Sequence, residues 1–294
     1  MILLATKNLK NLTVSIKMDR LSPLFSRFTL TARVFYSGNP CGSFDFGAED
    51  GVGYLHILRR GEVFVIQPGC EPSLVTEPSV IFYPRPRPHR FHVQEGSQAE
   101  IICTTIDFGA GLGNPLINAL PEVLIIPLSH IAELAPMLSL FFDEAFAERC
   151  GRQAAVNRLA EYFLVLLLRH TIDAKLIGGG MISGLSDAKL SKAITAMHER
   201  PEHVWSLEEL AQTANMSRAR FAVLFRETVG TTPLDYLTDW RISVAQTLLK
   251  SGKPLKLVAP EVGYSHPVAL TRVFTKRVGL SPKKWMEHSK TVAA

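Results

Sequence analysis

Residues 210–217 read LAQTANMS and residues 258–265 read VAPEVGYS, so apolar, small and turn-forming residues recur 48 positions apart. A second element repeats at an offset of 49. It consists of a phenylalanine, a glycine five residues later and a proline three residues beyond that, at Phe225, Gly230 and Pro233 and again at Phe274, Gly279 and Pro282. Each copy predicts a short helix, a tight turn and a longer helix that ends at glycine. This is the helix-turn-helix arrangement.

The residues around the repeat predict how the two units are joined. Ser206 and Glu209 form a capping box that begins the first helix of the first unit. Pro233 is suited to the first position of a long helix that runs to about Lys250. One long connecting helix would hold the two second helices about one DNA turn apart, a spacing that suits successive major grooves.

The net charge of +5 is unevenly distributed along the 294 residues. Residues 187–294 carry 16 Lys and Arg against 10 Asp and Glu, whereas residues 1–186 carry 16 against 17. A localised basic excess is expected of a phosphate-binding surface. A solvated face without a partner is the alternative.

The C-terminal third resembles the AraC/XylS family of bacterial transcription regulators over roughly Asp187 to Glu287. Among the matching residues are Ala211, Ser217, Phe221, Phe225, Gly230, Pro233, Arg241, Gly263, Tyr264, Arg272, Phe274, Gly279 and Pro282. The resemblance implies double-stranded promoter DNA and RNA polymerase as partners, a homodimer, and activation as the commoner behaviour.

Helical spacing selects the side chains that would face DNA. Phe221 and Phe225 share one face of the first unit's second helix, as Leu270 and Phe274 do in the second unit, and these faces are predicted to be core. The residues predicted to face bases are Arg218, Ala219, Ala222, Arg226, Val268, Thr271 and Arg272. Those predicted to contact phosphates are Arg220, Arg241, Lys276, Arg277, Lys283 and Lys284.

Arg272 is the strongest single candidate for reading a base. Its planar guanidinium can donate two hydrogen bonds to guanine O6 and N7. The alternative is a solvated arginine that pairs only with Glu or with phosphate.

The N-terminal half has a sequence pattern typical of strands, unlike the helical pattern of the C-terminal third. Together the two patterns predict an α+β fold class. Short β-branched and aromatic runs between about Ala32 and Phe108 are separated by Gly, Pro and Asn clusters, a pattern typical of antiparallel sandwiches and barrels. Three stretches, His56–Gly61, Val80–His89 and Asn118–Pro121, are similar to the cupin-type sensor domain of one subgroup of AraC-like regulators. The predicted organisation is a cupin-like β-barrel at 18–128, a helical dimerisation segment at 129–176, a flexible Gly-rich linker at 177–186 and an all-α double helix-turn-helix domain at 187–290.

The predicted sensor contains two histidines and two cysteines. His56 and His89 fall where metal-dependent cupins place ligands, but the position two residues after His56 is Leu58, so a divalent metal held by the two histidines is weighed against hydrogen-bonded barrel histidines. Cys41 and Cys103 are either part of a mixed His/Cys metal site, an oxidisable pair, or small buried hydrophobes.

Function follows from these parts. The sequence predicts a regulator, not an enzyme, that is controlled by a small molecule, a metal or an oxidant, the effector being unknown. The alternative is a cupin-fold metal-dependent enzyme with a helical tail.

Location is predicted from what the sequence lacks. The densest apolar run, Tyr162–Leu168, is far shorter than the ~18–20 residues of a membrane span, and residues 1–17 do not resemble a secretory signal. A cytoplasmic protein without a membrane partner is therefore expected. Met18 is a second plausible start.

Overall fold

The computed structural model describes residues 19–48, 52–109 and 114–292; the start at Met1 or Met18 lies outside them. Nine described strands form two antiparallel sheets. The larger has the order β1-β8-β3-β6-β9 and the smaller β2-β7-β4-β5. The strands are β1 Thr31–Gly38, β2 Gly42–Phe46, β3 Gly53–Arg60, β4 Val63–Ile66, β5 Ser73–Val75, β6 Ser79–Tyr83, β7 His89–Val93, β8 Glu100–Asp107 and β9 Leu124–Pro127.

The two sheets form a sandwich. Alternate residues of β3 serve two cores, because successive strand side chains point to opposite faces. Leu55 and Ile57 join the core shared with the helices, whereas Tyr54 and Leu58 pack toward the smaller sheet. The predicted α+β class with a β-rich cupin-like domain is confirmed, and the described strands of that domain form two sheets that are not closed into one.

Helices cover the outer face of the larger sheet. They are α1 Ser22–Arg27, α2 Pro115–Ala119, a 3-10 helix at Leu128–Leu134, α3 Ala135–Ala145 and α4 Arg152–Asp173. The helix α4 packs on β1 and α3, and Phe163, Leu164 and Leu167 are fully buried there. Its other face is open, since 53% of the Tyr162 surface is exposed.

The predicted flexible linker contains a helix. Residues Gly180–Ser186 form α5, in which Met181, Ile182 and Leu185 are buried. These three positions share one helical face, and burying them offsets the backbone freedom that the surrounding glycines would otherwise retain. The two halves of the chain are therefore packed together through α5.

The C-terminal half is helical throughout, as the repeat predicts. Its helices are α6 Leu190–Glu199, α7 Leu207–Thr213, α8 Arg218–Val229, α9 Pro233–Lys250, α10 Leu255–Glu261, α11 Pro267–Val278 and α12 Pro282–Val292. The pairs α7–α8 and α10–α11 are the two units, and α9 packs against helices of both. Within the described ranges, no helix is long and apolar enough to cross a membrane.

Candidate nucleic-acid interface and sensor site

Both units turn at residues in left-handed backbone conformation. Asn215 has φ +53° and Gly263 has φ +81°, at matching places between the two helices of each unit. The second helices also end alike, because Gly230 and Gly279 are left-handed C-caps at φ +87° and +83°. Asparagine and glycine tolerate this conformation better than other residues. The internal repeat is therefore a repeat of turn geometry as well as of sequence.

The core faces of the two second helices are confirmed. Phe221 and Phe225 on α8 and Leu270 and Phe274 on α11 are all fully buried. The residues predicted to face bases lie mostly on the exposed sides. Arg218, Ala219, Arg226, Val268 and Arg272 are exposed, and Ala222 and Thr271 are half-buried.

Arg272 differs in its ion pairing from Arg277, the other arginine of α11. It is exposed and makes no ion pair with any residue that the structure describes. Arg218, in contrast, pairs with Glu208 at 2.9 Å, although both side chains are exposed and such pairs contribute about 0–1 kcal/mol. Arg277 pairs with Asp235 and Asp239 of α9, at 2.5 and 3.3 Å, which ties α11 to the connecting helix.

Arg241 has different surroundings from the other predicted phosphate contacts. Its Nε donates to the carbonyl of Pro201 at 2.6 Å, and one terminal nitrogen donates to the carbonyl of His203 at 2.7 Å. The guanidinium also lies over the Tyr264 ring at 5.7 Å. Burial lowers the pKa of Arg241. Because two of its five N–H donors bind backbone carbonyls, Arg241 holds the segment before α7 against α9, and its phosphate contact stays a prediction. The other five, Arg220, Lys276, Arg277, Lys283 and Lys284, are exposed.

The sensor half brings His56 and His89 together. Their Nε2 atoms are 2.9 Å apart and both side chains are buried. The His89 Nδ1–H donates to the carbonyl of Arg87 at 2.9 Å, so Nε2 of His89 must be the unprotonated nitrogen. His56 then donates from Nε2, and its Nδ1 is left as a buried acceptor without a partner among the described residues.

This arrangement keeps both rings neutral. The His89 ring stacks between Tyr83 at 3.9 Å and Phe46 at 4.7 Å. Burial lowers the pKa of His89 to about 4, and burial together with His89 lowers the pKa of His56 well below its usual value. A proton added to Nδ1 of His56 would be a buried donor without an acceptor, which is costly.

Cys103 and Cys41 have different surroundings. Cys103 is the register partner of His56 across β8 and β3, and it is buried. Burial raises the pKa of its thiol, which disfavours the reactive thiolate. Cys41 is exposed. The hypothesis of small buried hydrophobes thus describes Cys103, and the contacts do not favour an oxidisable pair.

A cavity of about 270 Å³ opens beside the histidine pair. Half of its lining residues are aromatic, namely Phe35, Tyr36, Phe44, Phe46 and Phe91, and Cys103 is among the others. The rings of Phe46 and Phe91 also lie 4.6 Å from the His56 ring. A molecule in this cavity would therefore contact the same rings that enclose the histidines.

Comparison with known proteins finds a matching family model for each half of the chain. A cupin family model matches residues 19–173, and a helix-turn-helix domain model matches residues 210–288. An uncharacterized HTH-type transcriptional regulator of Haemophilus influenzae is 30% identical over 80% of this chain and 86% of its own length. The chain belongs to the AraC-like HTH-type transcriptional regulators.

Two further similarities concern the whole regulator and its DNA-binding half. The RCS-specific HTH-type transcriptional activator RclR of Escherichia coli is 29% identical, over 80% of this chain and 81% of its own length. The solved DNA-binding domain of AdpA, in complex with a target DNA, is 32% identical over 36% of this chain and 96% of its own, with a TM-score of 0.34. The chain is a DNA-binding transcription regulator with a cupin-like N-terminal domain, not an enzyme.

The regulator's histidines do not fit a cupin-type metal centre. Their facing nitrogens share one proton in a direct hydrogen bond, and Glu62, a carboxylate six residues after His56, is exposed. In the described part of the chain, no three His, Cys, Asp or Glu side chains are grouped so that they could hold a metal ion. Structural and catalytic metal sites in proteins normally use three or four such ligands.

The residues that join the two halves were not predicted from the sequence. Arg20 donates to the Leu185 carbonyl at 2.7 Å, and the Phe28 and Trp240 rings meet edge to face at 5.2 Å. The apolar residues Met181, Ile182 and Leu185 at helical spacing are a sequence signal for this packing. The four glycines of residues 178–184 obscure that signal.

Proposed function

We propose that the regulator is a homodimeric activator that reads promoter sites with α8 and α11. The observation that carries this proposal is the pair of exposed second helices held on one connecting helix, with Arg272 free of an ion pair. The relative from E. coli is named an activator, which supports activation over repression. Activation implies contact with RNA polymerase. Because the chromosome of a bacterium lies in its cytoplasm, we place the regulator there.

Salt-dependent DNA binding tests the proposal. Four predicted phosphate contacts, Arg220, Lys276, Lys283 and Lys284, are exposed and outside any ion pair between described residues. Four neutralised phosphates predict that log K falls with log salt at a slope of about −3.6 for each protomer. Fluorescence anisotropy on a duplex selected from a random pool measures the slope at several salt concentrations. A slope near zero would contradict DNA binding through these helices.

The signal is proposed to be a small, largely apolar and flat molecule in the aromatic cavity. The charged lining residue Asp45 is already paired with Arg90 at 2.7 Å, which leaves ring faces as the main binding surface. A volume of about 270 Å³ suits a ligand of one or two rings, and preformed apolar pockets with few polar groups are typical small-molecule sites.

The dimer is proposed to form through the open face of α4. Leu140 of α3 and Tyr162 of α4 are 54% and 53% exposed, and they border a groove of about 620 Å³ between the two helices. Leu159 and Leu166 line the same groove, so the apolar surface continues along α4 until Arg169, His170 and Asp173, together with Glu133, line the groove near the C-terminal end of that helix. An apolar face of this kind suits a two-fold contact with a second copy.

Tyr162→Arg is expected to convert the dimer to a monomer, because two guanidinium groups would meet near the symmetry axis. Sedimentation velocity of the full chain measures the change. The control is Glu95→Arg, which places the same side chain at an exposed turn of the sandwich. A Tyr162→Arg protein that sediments like the wild type would refute an interface on α4.

A further inference from the structure

The helix α5 lies between the sensor half and the first helix-turn-helix unit. It packs against α2 and α4 on one side and against α6 and α8 on the other. Ile182 and Leu185 are fully buried in these contacts. A short helix enclosed by four others moves together with them, because packed interiors deform little.

Gly184 sets how closely α5 approaches the helices of the first unit. A Cβ at this position would lie 2.5 Å from Cδ1 of Ile194 on α6 and 2.9 Å from Cγ2 of Val229 on α8. Both distances are well below van der Waals contact. Ile194 is fully buried and Val229 is 8% exposed, so a methyl group here fits only if these packed side chains shift. A side chain at position 184 would therefore displace its neighbours on α6 and α8.

Val229 is the last residue of α8, the helix that carries the predicted base contacts of the first unit. Its contact with Gly184 fixes the C-terminal end of that helix against α5. A shift of α5 would consequently tilt or displace α8.

Arg20 ties the same, C-terminal end of α5 to the sensor half. One terminal nitrogen donates to the Leu185 carbonyl at 2.7 Å, and the other pairs with Asp173, the last residue of α4, at 2.5 Å. The α5 helix is thus linked directly to the helix that we propose as the dimer contact.

The second unit is packed differently. Its helices α10 and α11 have their main contacts with α9 and with one another, and α12 has its main contact with α11. The sensor half instead makes its main contacts with α5, α6 and α9. The first unit is therefore packed against α5, which contacts the sensor half, whereas the main contacts of the second unit are with α9 and within the unit.

We infer that Gly184 is a positioning residue for DNA binding, and that α5 sets the orientation of α8 according to the state of the sensor half. This inference rests on the proposed reading of DNA by α8 and α11. The second recognition helix, α11, is positioned by α9 independently of α5.

Gly184→Ala in the full-length protein tests the inference. The DNA is a duplex selected from a random pool with the wild-type chain. Here a half-site is the part of the duplex that one recognition helix of a protomer contacts, and hydroxyl-radical footprinting measures the protection of each half-site separately. The half-site that loses protection in Arg272→Ala belongs to α11, and the other belongs to α8. Because overpacking displaces α8, Gly184→Ala is expected to raise the protein concentration for half-protection of the α8 half-site about tenfold, with less than a roughly twofold change at the α11 half-site.

Two further variants distinguish a displacement of α8 from a general loss of stability. Gly178→Ala is the matched control, because a Cβ there has no neighbour within 4 Å, and it is expected to leave both half-sites unchanged. Adding Ile194→Val to Gly184→Ala removes the atom nearest to the new methyl group and is expected to restore the α8 half-site. Thermal melting of each variant shows whether it is folded.

The possible outcomes distinguish the two proposals. Equal loss at both half-sites, no loss at either, or no restoration by Ile194→Val would overturn the role of Gly184 while leaving DNA reading by both helices in place. If the wild-type chain selects no duplex from the pool, the proposed function fails, and the positioning role fails with it.

Discussion

Arg272→Ala is expected to flatten the regulator's preference among DNA sites. The side chain is exposed on α11, and no described acidic residue competes for its guanidinium. A bidentate contact with guanine contributes about 1–3 kcal/mol of discrimination, so the ratio of affinities for the selected site and its best single-base variant should fall about five- to 150-fold. Overall affinity for unrelated DNA should change much less.

The matched comparison is Lys284→Ala, which removes one exposed charge from α12. A phosphate contact carries no base information, so this variant should weaken all sites alike and reduce the magnitude of the salt slope by about 0.9. Competition binding against a library of single-base variants measures both effects. If Lys284→Ala changed the base preference and Arg272→Ala did not, the assignment of faces on these helices would be wrong.

The helix-turn-helix half was largely predictable because its signals are local. Caps, turns and helix ends depend on residues within a few positions of one another, as in the capping box at Ser206 and Glu209, which the structure shows complete. The spacing of Phe221 and Phe225 assigns the buried face without knowledge of any other element, and both are fully buried.

The hydrogen bonds of Arg241 could not be predicted from the residues near it in the sequence. From the sequence it is one basic residue among several in a basic region. Its partners, the carbonyls of Pro201 and His203, lie 40 and 38 residues away. Backbone carbonyls have no signature in the sequence, so nothing local indicates that these donors are already used.

The structures of the sensor half and of α5 were harder to predict from the sequence, because they also depend on contacts between residues that are distant along the chain. Strand patterns indicate which segments pair with neighbours, but not whether the last strands meet to close a barrel, which depends on twist and register over the entire sheet. The α5 residues are buried only because α2, α4, α6 and α8 converge on them. The histidine pair was predictable as two positions, whereas its tautomers depend on the Arg87 carbonyl.

Mild acid is expected to destabilise the regulator because three buried histidines, His56, His89 and His198, are neutral in the folded chain. His198 stacks on Trp240 at 3.7 Å, its Nε2 lies 2.6 Å from the Tyr236 hydroxyl, and burial lowers its pKa to about 3. In the unfolded chain each histidine takes up a proton below its usual pKa of about 6.5. The unfolded state then binds more protons, so stability is highest above pH 6.5 and decreases as the pH falls.

The loss should amount to about 1.4 kcal/mol for each histidine and each pH unit below about 6.5. It continues until the pH approaches the folded pKa, which is about 4 for His89 and about 3 for His198. By pH 5 the DNA-binding half should lose about 2 kcal/mol through His198, and the sensor half about 4 kcal/mol through its pair. Most carboxylates are still largely ionised at pH 5, since their usual pKa values are about 3.9–4.3. Burial raises the pKa of Asp239, so the histidine contribution is taken from the difference between the wild type and a histidine variant, in which Asp239 is common to both.

Urea unfolding between pH 7.5 and 5 measures the effect in the DNA-binding half, because all three tryptophans, Trp205, Trp240 and Trp285, report on that half. His198→Gln removes the titrating ring and should make the dependence shallower by about 1.4 kcal/mol per pH unit, even though the variant is less stable at pH 7.5. The exposed His288→Gln is the control and should keep the wild-type slope. If His198→Gln lost stability with acid as steeply as the wild type, His198 could not be neutral in the folded regulator, and its buried contact with Tyr236 would have to be reconsidered.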